Sequence, residues 1–171
     1  GVENIGAKAF NGCRYFTSLR LPDNANFTTI EEGTFGSVWN YQMGFTGELV
    51  IPDSVTSIGS YAFENCRSLE KIVIPESVTS IGDYAFQDCS SLASINIPEG
   101  VTSIGSSAFS SCNGLEPKLL IYDNGTKCYG WIGDNEKCTE VIIPSGVTSI
   151  KKYAFESCSN LTSVIIPEGV K

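Results

Sequence analysis

The sequence contains no histidine. That removes the commonest general base and the commonest metal ligand together. Basic side chains are few, with 11 Lys and Arg against 19 Asp and Glu and a formal charge of −8. Phosphate backbones and anionic membrane surfaces both call for the opposite balance, so nucleic acid is excluded as a partner. No run approaches the roughly 18–20 apolar residues that a membrane helix needs, so no membrane insertion is expected within this segment. No signal peptide opens the chain. No Cys-x-x-Cys pair and no Gly-x-Ser-x-Gly turn is present. These absences argue against an enzyme and against any metal or cofactor. The chain does have apolar residues, at 42% of 171, enough to bury a core. It opens mid-pattern at Gly1 and stops mid-pattern at Lys171, and so reads as a piece of something longer.

That pattern is an internal repeat. IPDSVTSIGSYAFENCRSLEKIV from Ile51, IPESVTSIGDYAFQDCSSLASIN from Ile74 and IPEGVTSIGSSAFSSCNGLEPKL from Ile97 align without a gap, 23 residues apart. IPSGVTSIKKYAFESCSNLTSVI follows from Ile143, two periods on, and the text begins again at Ile166. A looser copy runs from Ile5 to Pro22. Six of the seven prolines (Pro22, Pro52, Pro75, Pro98, Pro144 and Pro167) share one repeat position. Two units deviate. The coil over 22–51 is elongated by seven residues, although Ile30 and Phe35 keep its apolar frame. The coil over 120–142, LIYDNGTKCYGWIGDNEKCTEVI, keeps the 23-residue length but loses the text. Length without text suggests one coil rebuilt with different packing. The whole of 1–171 is therefore expected to be one solenoid domain of about seven coils of 23 residues.

Each position has a physical reading. In SLEKIVIP, the spacing of Leu69, Ile72 and Ile74 puts alternate side chains on one face of a short strand. Copies at Phe16, Leu19 and Leu21, at Leu92, Ile95 and Ile97, and at Leu161, Val164 and Ile166 would stack coil on coil, with strands paired in parallel. Proline cannot donate to a ladder and ends each strand at one corner. VTSIG then points Val55 and Ile58 inward, with copies at Val78, Ile81, Val101, Ile104, Val147 and Ile150, and its glycine permits a bend. SYAFENC reads as a short helical or 3₁₀ turn with Ala62, Phe63 and Cys66 inward. Phe10, Phe63, Phe86, Phe109 and Phe155 would form an aromatic spine.

The text IPxxVTSIGxxAFxxCxxLxxI resembles the BspA-like leucine-rich repeats of bacterial surface proteins, found also in some parasitic protists. The resemblance covers nearly the whole chain, and about ten positions recur in step. It implies a right-handed β/α leucine-rich-repeat solenoid, with short parallel strands on the concave face and short helical or 3₁₀ turns on the other side. It also implies extracellular or cell-surface display, with adhesion or host-protein binding.

The repeat absorbs most residues that might carry chemistry. Cys13, Cys66, Cys89, Cys112 and Cys158 occupy one slot, three residues after the spine phenylalanine, and read as small buried hydrophobes. Cys138 falls where the frame expects leucine. Cys128 has no slot, and a Cys128–Cys138 disulfide stands as an alternative to two buried thiols. Asp53, Glu76, Glu99 and Glu168 recur at the corner as turn residues. Asp123-Asn124-Gly125-Thr126 reads as a tight turn in a hairpin-like excursion rather than a calcium loop.

Two features survive. In each strand the residue between the last two core positions should face outward, giving Arg20, Val50, Val73, Asn96, Leu119, Ile142 and Ile165. Five of these seven are apolar. Aligned exposed aliphatics mark interaction sites, whereas β-propensity alone would also favour them. Glu48, Glu70, Lys71, Glu116 and Glu140 flank the stripe. The second feature is aromatic: Trp39, Tyr41 and Phe45 in the elongated coil, and Tyr122, Tyr129 and Trp131 in the variant coil. They offer contact surface or fill space left by missing spine residues. The leading expectation is a non-catalytic surface module for a protein ligand. A spacer presenting other domains and carbohydrate recognition by exposed aromatics stand beside it. The strand at Val164–Ile166 has no polar cap. Self-association through uncapped ends is therefore expected, seen as a mass that rises with concentration in light scattering; a constant monomer mass would refute it.

Overall fold

Two parallel ladders run through the computed structural model, which describes residues 1–37, 43–44 and 46–171. The first joins four two-residue strands, β1 (Thr29–Ile30), β3 (Ser57–Ile58), β5 (Ser80–Ile81) and β7 (Ser103–Ile104). The second joins β2 (Gly47–Val50), β4 (Leu69–Val73) and β6 (Ser94–Asn96). Registers follow the repeat, with Ile58 opposite Ile81 and Ile72 opposite Ile95. The 23-residue period is thus the return of the chain to the same ladder one coil later. Ile30, within the elongated coil, pairs with Ile58, so the frame holds across the extra residues.

Inside the coils, Val55, Ile58, Ala62, Phe63, Cys66, Leu69 and Ile72 are buried, as are the copies Val78, Ile81, Ala85, Phe86, Cys89 and Leu92. The phenylalanines form a stack. Ring centroids from Phe10 to Phe35, Phe63, Phe86 and Phe109 are 5.6, 5.5, 5.3 and 5.4 Å apart, with planes within 15°. These spacings lie in the range of favourable offset stacking.

The segment carrying this spine is not helical. It is a run of tight turns in which alternate amides bond in different directions. Ala62, Glu64 and Cys66 donate to carbonyls three residues back. Tyr61, Phe63 and Asn65 donate to Asp83, Ala85 and Gln87 of the next coil at 2.8–2.9 Å. A helix would keep all these donors to itself. Here half of them tie the coils together, and Tyr61 and Asn65 take φ of 58° and 60° to aim them. The single 3₁₀ turn among the described residues is Asn135–Lys137, capped by Asp134. The architecture is therefore the expected leucine-rich-repeat solenoid with parallel strands, with tight turns in place of the expected short helical turns.

The recurring glycine also has a different purpose from a bend. Gly82 and Gly105 have no left-handed φ, but an added Cβ would lie 2.4 Å from the Ser60 nitrogen and 2.2 Å from that of Asp83. The residue is small because neighbouring coils touch there.

The variant coil breaks both ladders. β8 (Lys118–Tyr122) and β9 (Lys127–Ile132) form an antiparallel hairpin. Its turn places Asn124 and Gly125 at φ of 52° and 81°, as a two-residue hairpin turn requires. β9 then pairs in parallel with β11 (Ser149–Ile150), and β10 (Glu140–Ile142) with β12 (Ser163–Ile165). Cys128 lies opposite Ile150 and so takes the isoleucine slot that the sequence left unassigned. The core divides at this hairpin. A large cluster covers Leu21 to Ile132, and a smaller one holds Cys128, Cys138, Val141, Ile143, Val147 and Cys158. Phe155, expected in the spine, is half-buried against the smaller cluster, and the ring stack ends at Phe109.

Phe86, fully buried between two rings, should therefore cost about 3–5 kcal/mol when replaced by Ala. Phe155→Ala should cost distinctly less. Urea unfolding of the two variants checks this; an unchanged midpoint for Phe86→Ala, or equal losses, would contradict the stack.

Candidate binding surfaces

The outward stripe is real over part of its length. Val50 lies opposite Val73, and Val73 opposite Asn96, on β2, β4 and β6. Val50 is 59% exposed and Val73 37%. The alternation of β4 explains this, since Ile72 and Ile74 on either side of Val73 are buried. Ile142 and Ile165 are likewise opposite each other on β10 and β12, and both are more than half exposed. Arg20 is exposed but lies outside the strands. Leu119 departs from the stripe. It pairs with Trp131 across the antiparallel hairpin and packs, half-buried, against the smaller core. Pairing with β9 instead of β6 turns that side chain away from the line of its copies. The stripe is thus two patches, Val50–Val73–Asn96 and Ile142–Ile165, on either side of the hairpin. A Lys71–Glu48 ion pair at 3.0 Å borders the first.

The aromatics of the variant coil are engaged with their neighbours. Tyr129 is buried. The Tyr122 hydroxyl donates to the Ile97 carbonyl at 2.9 Å and also sits against that of Pro98, which fastens the hairpin to the preceding corner. The Trp131 indole donates to the Asp134 carbonyl at 3.1 Å, and its amide donates to Ala154 on the following coil. This is the bond made by a spine residue, so Trp131 occupies the place a phenylalanine would take. Gly130 beside it sits at φ 113°, where a Cβ would lie 1.9 Å from the Ala154 oxygen. The variant coil presents no exposed aromatic platform. Trp39, Tyr41 and Phe45 lie outside the described residues.

All seven cysteines are free thiols, so Cys128 and Cys138 are not linked. Six are buried. The thiols of Cys66, Cys89 and Cys112 donate to the carbonyls of Phe35, Phe63 and Phe86, each in the preceding coil. Burial pushes the Cys89 and Cys112 thiols up, and burial beside Cys138 pushes Cys158 up to about 12. They remain protonated and serve as small donors within the core. Cys13 differs: it is exposed. Among the described residues no group of three or more metal-ligating side chains converges.

The sequence pattern of the BspA-type leucine-rich-repeat region matches in six copies, over residues 1–43, 41–127 and 133–171. The chain belongs to this family. Among solved structures, this BspA-type solenoid is similar to a leucine-rich cell surface protein of Faecalibacterium prausnitzii, with 28% identity and a TM-score of 0.67. That match covers 96% of this chain and 45% of the other. A leucine-rich repeat protein of Bacteroides ovatus is 31% identical with a TM-score of 0.70, over 96% of this chain and 41% of that one. The leucine-rich repeat protein of T. pallidum is 28% identical with a TM-score of 0.51, over 88% of this chain and 59% of its own. The BspA-type chain therefore spans less than half the length of the first two. No curated protein matches its sequence.

One carboxylate in this BspA-type solenoid sits under electrostatic strain. Glu64 Oε2 is buried without a hydrogen-bond partner. Burial first, and the nearby Asp88 second, raise its pKa to about 7. The folded state therefore holds this proton more tightly than the unfolded chain, whose value is near 4.5. Stability from Glu64 is fully present below about pH 4.5 and is lost as pH rises through 7. Because the side chain is half-exposed, solvent screening reduces the effect to on the order of 1 kcal/mol. Glu64→Gln should raise the unfolding midpoint at pH 8 and leave it nearly unchanged at pH 4; thermal unfolding of both proteins at the two pH values checks this.

Proposed function

We propose that this chain is a non-catalytic binding module, displayed outside a bacterial cell, that holds a protein ligand on its longer-strand face. One observation carries the reading: Val50 and Val73 are exposed and in register on neighbouring strands. The fold does not require them to be apolar, because Asn96 occupies the same slot one coil later. Ile142 and Ile165 repeat the arrangement beyond the hairpin. Apolar area held in water on a rigid ladder favours association with a complementary surface. Rigid parallel strands add little ordering cost on binding, since their backbones are already fixed by ladder hydrogen bonds, on both sides for β4.

Extracellular display is supported by likeness to a protein described as a cell surface protein, 28% identical. Adhesion through a protein ligand is the form of binding that an uncharged aliphatic patch with a mixed-charge rim favours. A sugar would call for exposed aromatic faces, and the described aromatics of the variant coil are tied into neighbouring coils.

The test uses the purified chain on immobilised extracellular-matrix proteins, mucin and intact epithelial cells. Val73→Glu combined with Ile142→Glu should weaken binding by about tenfold or more while leaving the unfolding midpoint within about 0.5 kcal/mol, since both side chains face solvent. Equal binding by the variant would sink the strand-face assignment. A wild-type chain that binds none of these surfaces would replace the reading with that of a spacer.

A further inference from the structure

The turn segment of each coil carries a second row, separate from the strand ladder, whose tyrosines reach the surface while Gly33 and Ser107 lie buried. Its slot is filled in order by Lys8, Gly33, Tyr61, Tyr84, Ser107 and, past the hairpin, Tyr153. All six adopt positive φ, between 51° and 61°. A left-handed conformation disfavours bulky side chains, so the turn itself favours Gly33 and tolerates Ser107. Tyrosine stands there three times nonetheless. The Tyr61 and Tyr84 rings stack at 5.1 Å and 13°, and Tyr153 continues the row at 6.4 Å and 39°. Tyr61 and Tyr84 are half-buried, and Tyr153 is 44% exposed.

The surroundings of the row are acidic. Glu32 and Asp83 occupy the adjacent slot, and Glu64 follows Tyr61 in the same turn. The fields of Glu64, Asp83 and Glu32 all act on Tyr61, and those of Glu156 and Asp83 act on Tyr84. An aromatic face carries negative potential, and so does each carboxylate. Both attract a cation. The molecule already provides one such contact: the Lys152 ammonium lies 4.3 Å from the centre of the Tyr153 ring. At the other end of the row Lys8 pairs with Glu32 at 3.0 Å. Between these two lysines, Asp83 accepts from the Ser106 amide at 2.6 Å and lies within the field of Lys152, but no ion pair closes on it among the described residues.

We propose that the Tyr61–Tyr84–Tyr153 row, with Asp83 and Glu32 beside it, is a docking surface for an extended, Arg- and Lys-bearing segment of a protein partner. Charge complementarity identifies the occupant: the chain is −8 overall, and the row joins aromatic faces to carboxylates. Arginine suits it best, since a guanidinium can lie flat on a ring while donating to a carboxylate. An extended segment rises roughly 3.3 Å per residue, so alternate side chains can reach successive tyrosines. This surface lies on a different part of the coil from the strand patches, so its failure leaves the proposed function standing.

The test titrates the intact chain into fluorescein-labelled octa-arginine, octa-lysine and octa-glutamate, followed by anisotropy. Salt is held at about 0.1 M, where distant exposed charges are screened. Octa-arginine should bind, octa-lysine more weakly, and octa-glutamate not at all. Tyr61→Ser with Tyr84→Ser, the residue already accepted at Ser107, should weaken octa-arginine binding by about tenfold. Tyr61→Phe with Tyr84→Phe keeps the ring faces and should retain it. A control pair, Glu70→Gln with Glu140→Gln, removes two negative charges from the strand face and should leave binding unchanged. No binding by the wild type, equal binding by the Ser variant, or an equal loss in the control pair would each overturn the proposal.

Discussion

Everything in this molecule depends on how closely one coil approaches the next. Parallel strands hydrogen-bond at roughly 4.8 Å, and that spacing is imposed on the whole coil, including its turns. Flat rings fit it: the phenylalanine spine repeats at 5.3–5.6 Å. Glycine fits where backbone meets backbone, as at Gly82 and Gly105. A thiol fits where one short donor must reach a carbonyl of the coil before it, as Cys89 reaches Phe63. The repeat text is therefore largely a list of side chains compatible with one distance. This also explains why Cys89 and Cys112 stay protonated: burial pushes their thiols up, and the thiolate that metal binding or redox chemistry needs is suppressed.

The hairpin shows what happens when that distance is interrupted. An antiparallel pair cannot take the place of two parallel strands in both ladders, so only β9 continues, beneath β11. Downstream slots change character accordingly. Lys151 stands in the slot of Gly59, Gly82 and Gly105, and Phe155 leaves the ring stack. Trp131 and Tyr129 fill the space between, and Gly130 lets the two backbones meet. The result is two apolar cores along one solenoid, with Tyr122 fastened to the corner of the larger one.

Much of this was legible in the sequence because side-chain identity repeats with the coil. The inward faces, the strand positions, the corner prolines and the burial of Cys138 follow from spacing alone. What spacing cannot convey is where a backbone amide sends its hydrogen. SYAFENC has the composition of a helical turn, and only the next coil's carbonyls make alternate donors point sideways. Glycine in VTSIG looks like a hinge for the same reason, since a close neighbour leaves no trace in a single coil's text. Leu119 was misleading because its frame is intact, while its strand partner had changed from β6 to β9. The tyrosine row went unremarked because its slot varies, and variation at one slot reads as noise until the rings are seen to touch.

That variation is informative in its own right. A repeat protein tests each slot several times on nearly the same backbone, so the chain supplies its own controls. Where every copy agrees, as at the spine phenylalanines, the residue answers to packing. Where one copy is polar and another apolar on the same exposed slot, packing has no preference, and another pressure must account for the difference. Val73 beside Asn96 is such a pair, and half-buried Tyr84 beside Ser107 varies in the same way, although Ser107 is buried. In the second pair the argument is stronger, because left-handed backbone disfavours the tyrosine over the serine. Ring stacking offsets part of that cost by roughly 0.5–1.5 kcal/mol per pair. It does so only for tyrosines that have a stacked neighbour, and Tyr153 is tilted and largely in water. Residues that the fold tolerates without needing are where a solenoid of otherwise uniform coils can differ from its relatives in what it holds.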